Sequence, residues 1–293
     1  MHFLLLCILS STGIFIIFKS IDRYKVPSFP VIVINYLVAT IMGFLINDGQ
    51  VRFHEILNME WLPASILIGV LFILMFFLVA YSSQKAGISV TTVASKMSVI
   101  FPILLSMLID PGDHFNLLKG TAILATLCGV ALTVYNPREG RVNRAVLYIP
   151  LILFAGMGLV DSLVKYAQHR YVSDSDTALF SAVLFLNALA AGLVILIFSP
   201  GYLSSFKKPA TWGWGILLGG VNFGSIFFLV RALNFTSATR VRIDSSVIFG
   251  INNTGIVALS VMAGYLVFKE RLIPVNWVGI ILSVLALILF SLG

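Results

Sequence analysis

Ten apolar runs, each long enough to cross the hydrocarbon core of a bilayer, make up most of this 293-residue chain. A helix needs about 20 apolar residues to span roughly 30 Å of hydrocarbon. Lipid offers no hydrogen-bonding partner to the backbone, so only helices and closed barrels span it. Barrel strands are about half as long and alternate in polarity, so these runs predict helices. The runs are residues 2–18, 28–47, 61–82, 88–109, 117–135, 145–166, 177–198, 210–231, 243–268 and 272–292.

The composition also indicates a lipid environment. Hydrophobic residues make up 59% of the chain and charged residues 11%, whereas a soluble domain carries about 25% charged residues. The net charge is +7, but the basic residues lie in short loops, where they set topology and contact phospholipid. They form no basic face with interleaved aromatic residues, so we expect no nucleic-acid partner. The sequence therefore predicts an all-α, multi-pass integral protein of the cell membrane.

The sequence carries no pattern of an enzyme or a metal site. Cys7 and Cys128 lie in apolar runs and lack the Cys/His spacing of a metal centre. We find no Ser/His/Asp set, no paired carboxylates and no phosphate-binding glycine loop. We therefore expect no enzymatic activity, no metal and no cofactor. Energy for any transport must then come from a gradient or from exchange rather than from ATP.

The chain repeats itself with an offset of 152 residues. Asn35 in run 2 corresponds to Asn187 in run 7, and residues 80–89 correspond to residues 232–241. Each copy holds five runs, and because five is odd the two copies must lie in opposite orientations. Inverted repeats are typical of secondary transporters, whose substrate site lies at the repeat interface near the midplane. We predict ten transmembrane helices in two inverted five-helix repeats, residues 1–138 and 145–293.

The hairpin between runs 9 and 10 has a distinctive sequence. A Lys-Glu-Arg-Leu-Ile-Pro turn occupies residues 269–274, and Trp277 and Gly279 open the last run. With ten runs in a 5+5 arrangement, the chain resembles the EamA-like branch of the drug/metabolite transporter superfamily over its whole length. The counterpart turn at residues 110–120 lacks the Glu-Arg pair. The resemblance implies alternating access by rocking of the two halves, with amino acids or related metabolites as exported substrates.

The resemblance and the loop charges favour different membrane orientations. The resemblance implies cytoplasmic termini, which would put seven basic residues in cytoplasmic loops and eleven on the opposite side. Basic residues normally concentrate on the cytoplasmic side. We keep the family orientation because Lys19, Arg23 and Lys25 follow run 1 directly and can snorkel. The tryptophans at run starts are expected at the membrane interface: Trp61, Trp212, Trp214 and Trp277.

Lys96 is the residue that most constrains the function. It lies in the otherwise uncharged stretch 86–109, roughly 15 Å from either end at about 1.5 Å per residue. A lysine at the bilayer midplane costs roughly 2.5–3.5 kcal/mol, so its ammonium is expected to face a polar cavity or a counter-charge. Snorkelling to the interface is the alternative. Ser89 and Thr92 lie on the same helical face, and we predict that all three side chains bind substrate.

Run 9 is the predicted counterpart of run 4. Arg242, Asn252 and Asn253 are candidate substrate-binding residues there. An interfacial ion pair between Arg242 and Asp244 is the alternative for the first of them. Of the two adjacent carboxamides, one is expected to line the cavity while the other bonds a neighbouring helix.

Lone polar residues in the other runs complete the predicted site. Asn35, Tyr36, Asn187 and Asn222 are candidate ligands, with helix–helix hydrogen bonding as an equal alternative for each. Asp161 and Asp244 are candidate coupling groups. Asp161 also has Lys165 one helical turn further on, and this i,i+4 pair is the interpretation we favour for it.

Together these patterns predict a secondary active transporter that exports a small polar metabolite, such as an amino acid, by alternating access. Lys96 and Arg242 leave open an exchanger of anionic metabolites, of the nucleotide-sugar or sugar-phosphate type. A passive facilitator or channel is the third possibility, from a different functional class. The expected partners are a small-molecule substrate and membrane lipid, and the oligomeric state is monomer or homodimer.

Overall fold

The computed structural model describes residues 2–46, 56–109, 117–135, 144–172, 177–233 and 245–292. These residues form α-helices joined by short turns, one 3₁₀ segment at Pro200–Lys207 and no β-strand. The predicted all-α class is therefore confirmed. The helices are α1 His2–Arg23, α2 Ser28–Ile46, α3 Leu62–Lys85, α4 Ile88–Met97, α5 Ile100–Ile109, α6 Leu117–Val134, α7 Arg144–Tyr171, α8 Thr177–Phe198, α9 Pro209–Leu233, α10 Ser245–Leu266 and α11 Pro274–Leu292.

Seven segments of the described chain are long and apolar enough to cross a membrane: α1, α2, α3, α7, α8, α9 and the consecutive pair α4–α5. The apolar stretches of α6, α10 and α11 are shorter. Large apolar side chains lie on the outside of the bundle, among them Leu45, Leu108 and Phe198, which are 73%, 84% and 81% exposed. Such an apolar exterior is the surface that lipid would cover, and it indicates a membrane protein.

The fourth apolar run is broken, although it was expected to form one continuous helix. Helix α4 ends at Met97 and α5 begins at Ile100. Pro102 has no N–H group to continue the hydrogen-bond ladder, and the preceding Phe101 N–H bonds Ser98 O at 3.0 Å in a tighter turn. The break therefore comes directly after Lys96.

The four tryptophans differ in exposure, and Trp214 is half-buried. Trp212 and Trp277 are 41% and 38% exposed at helix starts, as expected for interfacial residues. Trp61 is only 1% exposed and packs edge-on against Phe180, with ring centroids 5.4 Å apart. Helix α8 therefore covers Trp61, which does not present its ring on the outside of the bundle.

Helices α6 and α11 cross at two glycines. A Cβ atom on Gly279 would lie 2.5 Å from the backbone nitrogen of Thr133, and one on Gly129 would lie 3.0 Å from that of Ser283. The Thr133 hydroxyl donates a hydrogen bond to the carbonyl oxygen of Gly129 at 2.7 Å. The Ser283 hydroxyl donates in the same way to that of Gly279 at 2.9 Å. Small residues at this spacing allow two membrane helices to approach closely.

We expect Gly279→Ala to lower the melting temperature of the purified protein. The added methyl group would meet backbone atoms, which cannot rotate away, and overpacking of this kind costs about 1–3 kcal/mol. Gly213→Ala is the matched control, because a Cβ there meets nothing within 4 Å and alanine favours a helix. Equal melting temperatures of the two variants in detergent would contradict the close crossing.

Candidate functional site

Contacts between helix ends define one end of the bundle, named here the Glu270 end. There α1 and α3 finish and α2 and α4 begin. Lys19 Nζ donates to Gln84 O at 3.1 Å, and Gln84 Nε2 donates to Ser28 Oγ at 2.8 Å. Glu270 reaches the same end from the connection between α10 and α11.

Lys96 is half-buried and lies in the last turn of α4. It follows Ile88 by eight residues, which is roughly 12 Å along a helix. Its ammonium group interacts electrostatically with Asp161 of α7 and with Cys7 of α1. Within the described residues it forms no direct ion pair and no hydrogen bond. The negative end of the α4 dipole favours a cation at this position.

Asp161 faces the break between α4 and α5. Ser98 Oγ lies 3.3 Å from Asp161 Oδ2 and also donates to Ser95 O at 2.5 Å. Lys165, the favoured partner of Asp161 in the sequence, instead donates through Nζ to Pro102 O at 3.4 Å. The structure thus brings the carboxylate towards Lys96 and Ser98, from a helix more than 60 residues further along the chain.

Five of the predicted ligand residues carry buried polar atoms that have no hydrogen-bond partner in the described part of the chain. An unsatisfied buried polar group costs about 1–3 kcal/mol, so each of these atoms is a candidate for a hydrogen bond to a ligand or to water. The atoms are both amide atoms of Asn35, the Tyr36 hydroxyl, Thr92 Oγ1, Asn222 Nδ2 and Asn252 Oδ1. The neighbouring Asn253 is half-buried.

Six residues that sequence reasoning did not single out as ligands carry similar groups. Their hydroxyls are buried and lack a partner among the described residues: Thr12, Ser83, Ser95, Thr211, Thr254 and Ser260. They lie on α1, α3, α4, α9 and α10. Hydroxyls are common in membrane helices, where they usually bond the carbonyl one turn back, so nothing in the sequence distinguishes these six.

Two predicted ligands are used in contacts between helices. Asn187 Nδ2 of α8 donates to Ser65 Oγ of α3 at 3.0 Å, where Gly69 also lets the two backbones approach. The Ser89 hydroxyl donates a hydrogen bond to Glu270 Oε2. Arg242 and Asp244 lie outside the described residues.

Glu270 caps the start of α4, the helix that carries Lys96. Its Oε1 accepts from Ile88 N at 2.5 Å, and its Oε2 accepts from Ser89 N at 3.2 Å and from Ser89 Oγ at 2.8 Å. A carboxylate at this place satisfies N–H groups that have no partner within the helix, and it complements the positive end of the helix dipole.

The cap requires glycine on both sides. Gly87 precedes α4 with φ of 95°, a backbone conformation that glycine adopts without strain. A Cβ atom on Gly87 or Gly264 would lie 2.8 or 2.5 Å from a carboxylate oxygen of Glu270. We refer to Glu270 with the first turn of α4 as the Glu270 latch, because it ties the α10–α11 connection to α4.

Comparison with known proteins gives a fold and no activity. No protein-family profile matches the chain. An uncharacterized protein of Haemophilus influenzae is 28% identical, over 98% of this chain and 96% of its own length. A crystal structure of a protein superposes with a TM-score of 0.57 at 15% identity, covering 98% of this chain and 97% of that one. The fold likeness therefore extends along the entire chain.

Proposed function

We propose that this protein is a secondary active transporter of a small polar metabolite, exporting an amino acid or a related compound across the cell membrane. The observation that carries the proposal is the position of Lys96 and Asp161. Asp161 contacts Ser98 at the helix break, two residues after Lys96, and the two charged residues belong to helices in opposite halves of the chain. They interact electrostatically but form no direct ion pair among the described residues. Ionisable residues inside a membrane bundle usually mark a substrate or ion pathway.

The packing of the described helices supports the inverted repeat that we propose, in which α4 and α5 together count as one crossing. In the proposed repeat, α1, α2, α3 and α4 of the first half correspond to α7, α8, α9 and α10 of the second half. The contacts of α1 with α9, of α2 with α9 and of α1 with α10 then correspond to the contacts of α7 with α3, of α8 with α3 and of α7 with α4, and all six are present. Each of these contacts between the halves therefore has a counterpart, as expected for the architecture of the drug/metabolite transporter superfamily.

A pair of glycine contacts repeats the same exchange. Gly219 of α9 lies against the backbone of Asn35 in α2, and Gly69 of α3 lies against Asn187 in α8. Asn35 and Asn187 are 152 residues apart, which is the offset of the sequence repeat. The proposed substrate site then lies between the halves, where transporters built from inverted repeats bind substrate.

The opposite charges of Lys96 and Asp161 are suited to binding a zwitterionic substrate. The Lys96 ammonium can accept a substrate carboxylate, and Asp161 can either bind the substrate ammonium group or carry a coupling proton. The unpartnered groups of Asn35, Thr92 and Asn252 can bond polar parts of the ligand. Alternating access follows if the Glu270 latch holds one end of the bundle closed and opens when the halves rock.

The purified protein in liposomes tests this proposal. The panel contains labelled amino acids, nucleotides and sugar phosphates, each assayed under a proton gradient and with counter-substrate inside. We expect uptake of at least one amino acid, accelerated by internal substrate. Uptake of only phosphorylated compounds would favour the anionic exchanger, uptake without acceleration would favour a passive facilitator, and no uptake under either condition would refute transport of these classes.

A further inference from the structure

A cavity separate from Lys96 opens at the Glu270 end of the bundle. Its volume is about 360 Å³, within the range of small-ligand sites. Three cations and one carboxylate give its lining a net charge of +2. The lining residues are Lys19, Asp22, Arg23, Val267, Phe268 and Lys269. We call it the basic cavity.

One cation of the basic cavity is held by a hydrogen bond, and the other two are exposed and not neutralised. Lys19 Nζ is tied to Gln84 O at 3.1 Å, which keeps its ammonium at the cavity wall. Arg23 and Lys269 form no ion pair and no side-chain hydrogen bond with any residue that the structure describes. Lys269 has φ of 54°, and its neighbours are anchored by the bonds of Phe268 N to Ala263 O and of Glu270 N to Gly264 O.

Aromatic residues place this end of the bundle at the depth of lipid headgroups. Tyr24 packs against Trp214 with ring centroids 5.7 Å apart, and Tyr265 packs against Trp277 at 5.9 Å. Tyr24 is 66% exposed and Tyr265 53% exposed. Tryptophan and tyrosine concentrate at the membrane–water interface, so the basic cavity opens where headgroups lie.

We propose that the basic cavity binds the phosphodiester headgroup of an anionic phospholipid. Lys19, Arg23 and Lys269 contact the phosphate oxygens, as basic pockets between membrane helices do. Val267 and Phe268 contact the glycerol backbone, and the Asp22 carboxylate accepts a hydrogen bond from a hydroxyl group of the headgroup. A lipid whose headgroup carries its own cation binds less well, because the net charge of +2 repels that cation.

Thermal unfolding of the full-length protein in detergent, with added lipid, tests this site. We expect phosphatidylglycerol to raise the melting temperature more than phosphatidylcholine or phosphatidylethanolamine does. In the double variant Arg23→Gln/Lys269→Gln, the advantage of phosphatidylglycerol should disappear. Lys207→Gln/Lys208→Gln is the matched control, since it removes two exposed cations from the same end outside the cavity and should keep the advantage.

Four results would overturn the proposal. An equal stabilisation by all three lipids would remove the need for an anionic headgroup. An unchanged response of the cavity variant, or an equal loss in the control variant, would place the lipid effect elsewhere. The same stabilisation by inorganic phosphate at millimolar concentration would assign the cavity to a soluble anion. None of these readouts depends on transport activity.

Discussion

Replacing Lys96 by methionine should lower transport at least tenfold while leaving the protein folded. The ammonium is the group that we propose binds the substrate carboxylate, and a hydrogen bond to a charged group contributes about 1.5–3 kcal/mol. Since 1.4 kcal/mol is about a factor of ten, we expect at least a tenfold fall in uptake. Methionine has a similar length and carries no charge, so the melting temperature should stay the same or rise.

Lys85→Met is the matched control for this variant. Lys85 ends α3 and is exposed at the Glu270 end, so its loss removes a charge without touching the proposed site. Uptake by the control should stay close to the unmodified level. Unchanged uptake by a folded Lys96→Met protein would remove Lys96 from the site.

A double-mutant cycle with Asp161→Asn separates a binding role from a structural one. If Lys96 and Asp161 only stabilise each other, removal of Lys96 alone leaves the half-buried Asp161 carboxylate without its counter-charge, and the second substitution restores the melting temperature. We expect no such rescue, because no direct ion pair joins the two residues within the described chain. Both single variants should lose uptake and keep their stability.

The bounds of the apolar runs predicted most helix boundaries well, because the thickness of the lipid sets the length of the run and the length of the helix alike. The run 177–198 coincides with α8, and the run 117–135 with α6. The break after Lys96 was not predicted, since hydropathy does not detect the missing N–H of Pro102. The buried position of Trp61 depends on Phe180, which lies more than 100 residues further along the chain.

Sequence alone could not separate ligands from residues that join helices. Asn35 and Asn187 are 152 residues apart, which is the offset of the predicted repeat, and both are lone carboxamides in apolar runs. Only the structure shows that Asn187 donates to Ser65, 122 residues away, while the amide of Asn35 has no partner among the described residues. The same limit applies to Glu270, whose turn was notable in the sequence although its contact with α4 was not foreseen.

Removing the Glu270 carboxylate should open this end of the bundle. Glu270→Ala loses three hydrogen bonds to Ile88 and Ser89. Each bond to a charged group contributes about 1.5–3 kcal/mol, so the balance between closed and open states should shift by at least a factor of ten. Thr92→Cys reports the change, because Thr92 is fully buried and lies between the latch and Lys96 on α4.

The reporter is placed in a background with Cys7→Ser and Cys128→Ser, which removes the other thiols, and labelled with a water-soluble maleimide. The labelling rate should rise in the order unmodified latch, Glu270→Gln, Glu270→Ala, because glutamine keeps one acceptor oxygen but loses the charge. Arg271→Ala is the matched control, since Arg271 is exposed beside Glu270 and outside the cap. If labelling were equally slow in all four proteins, Glu270 would only cap α4, and the gate would have to lie elsewhere in the bundle.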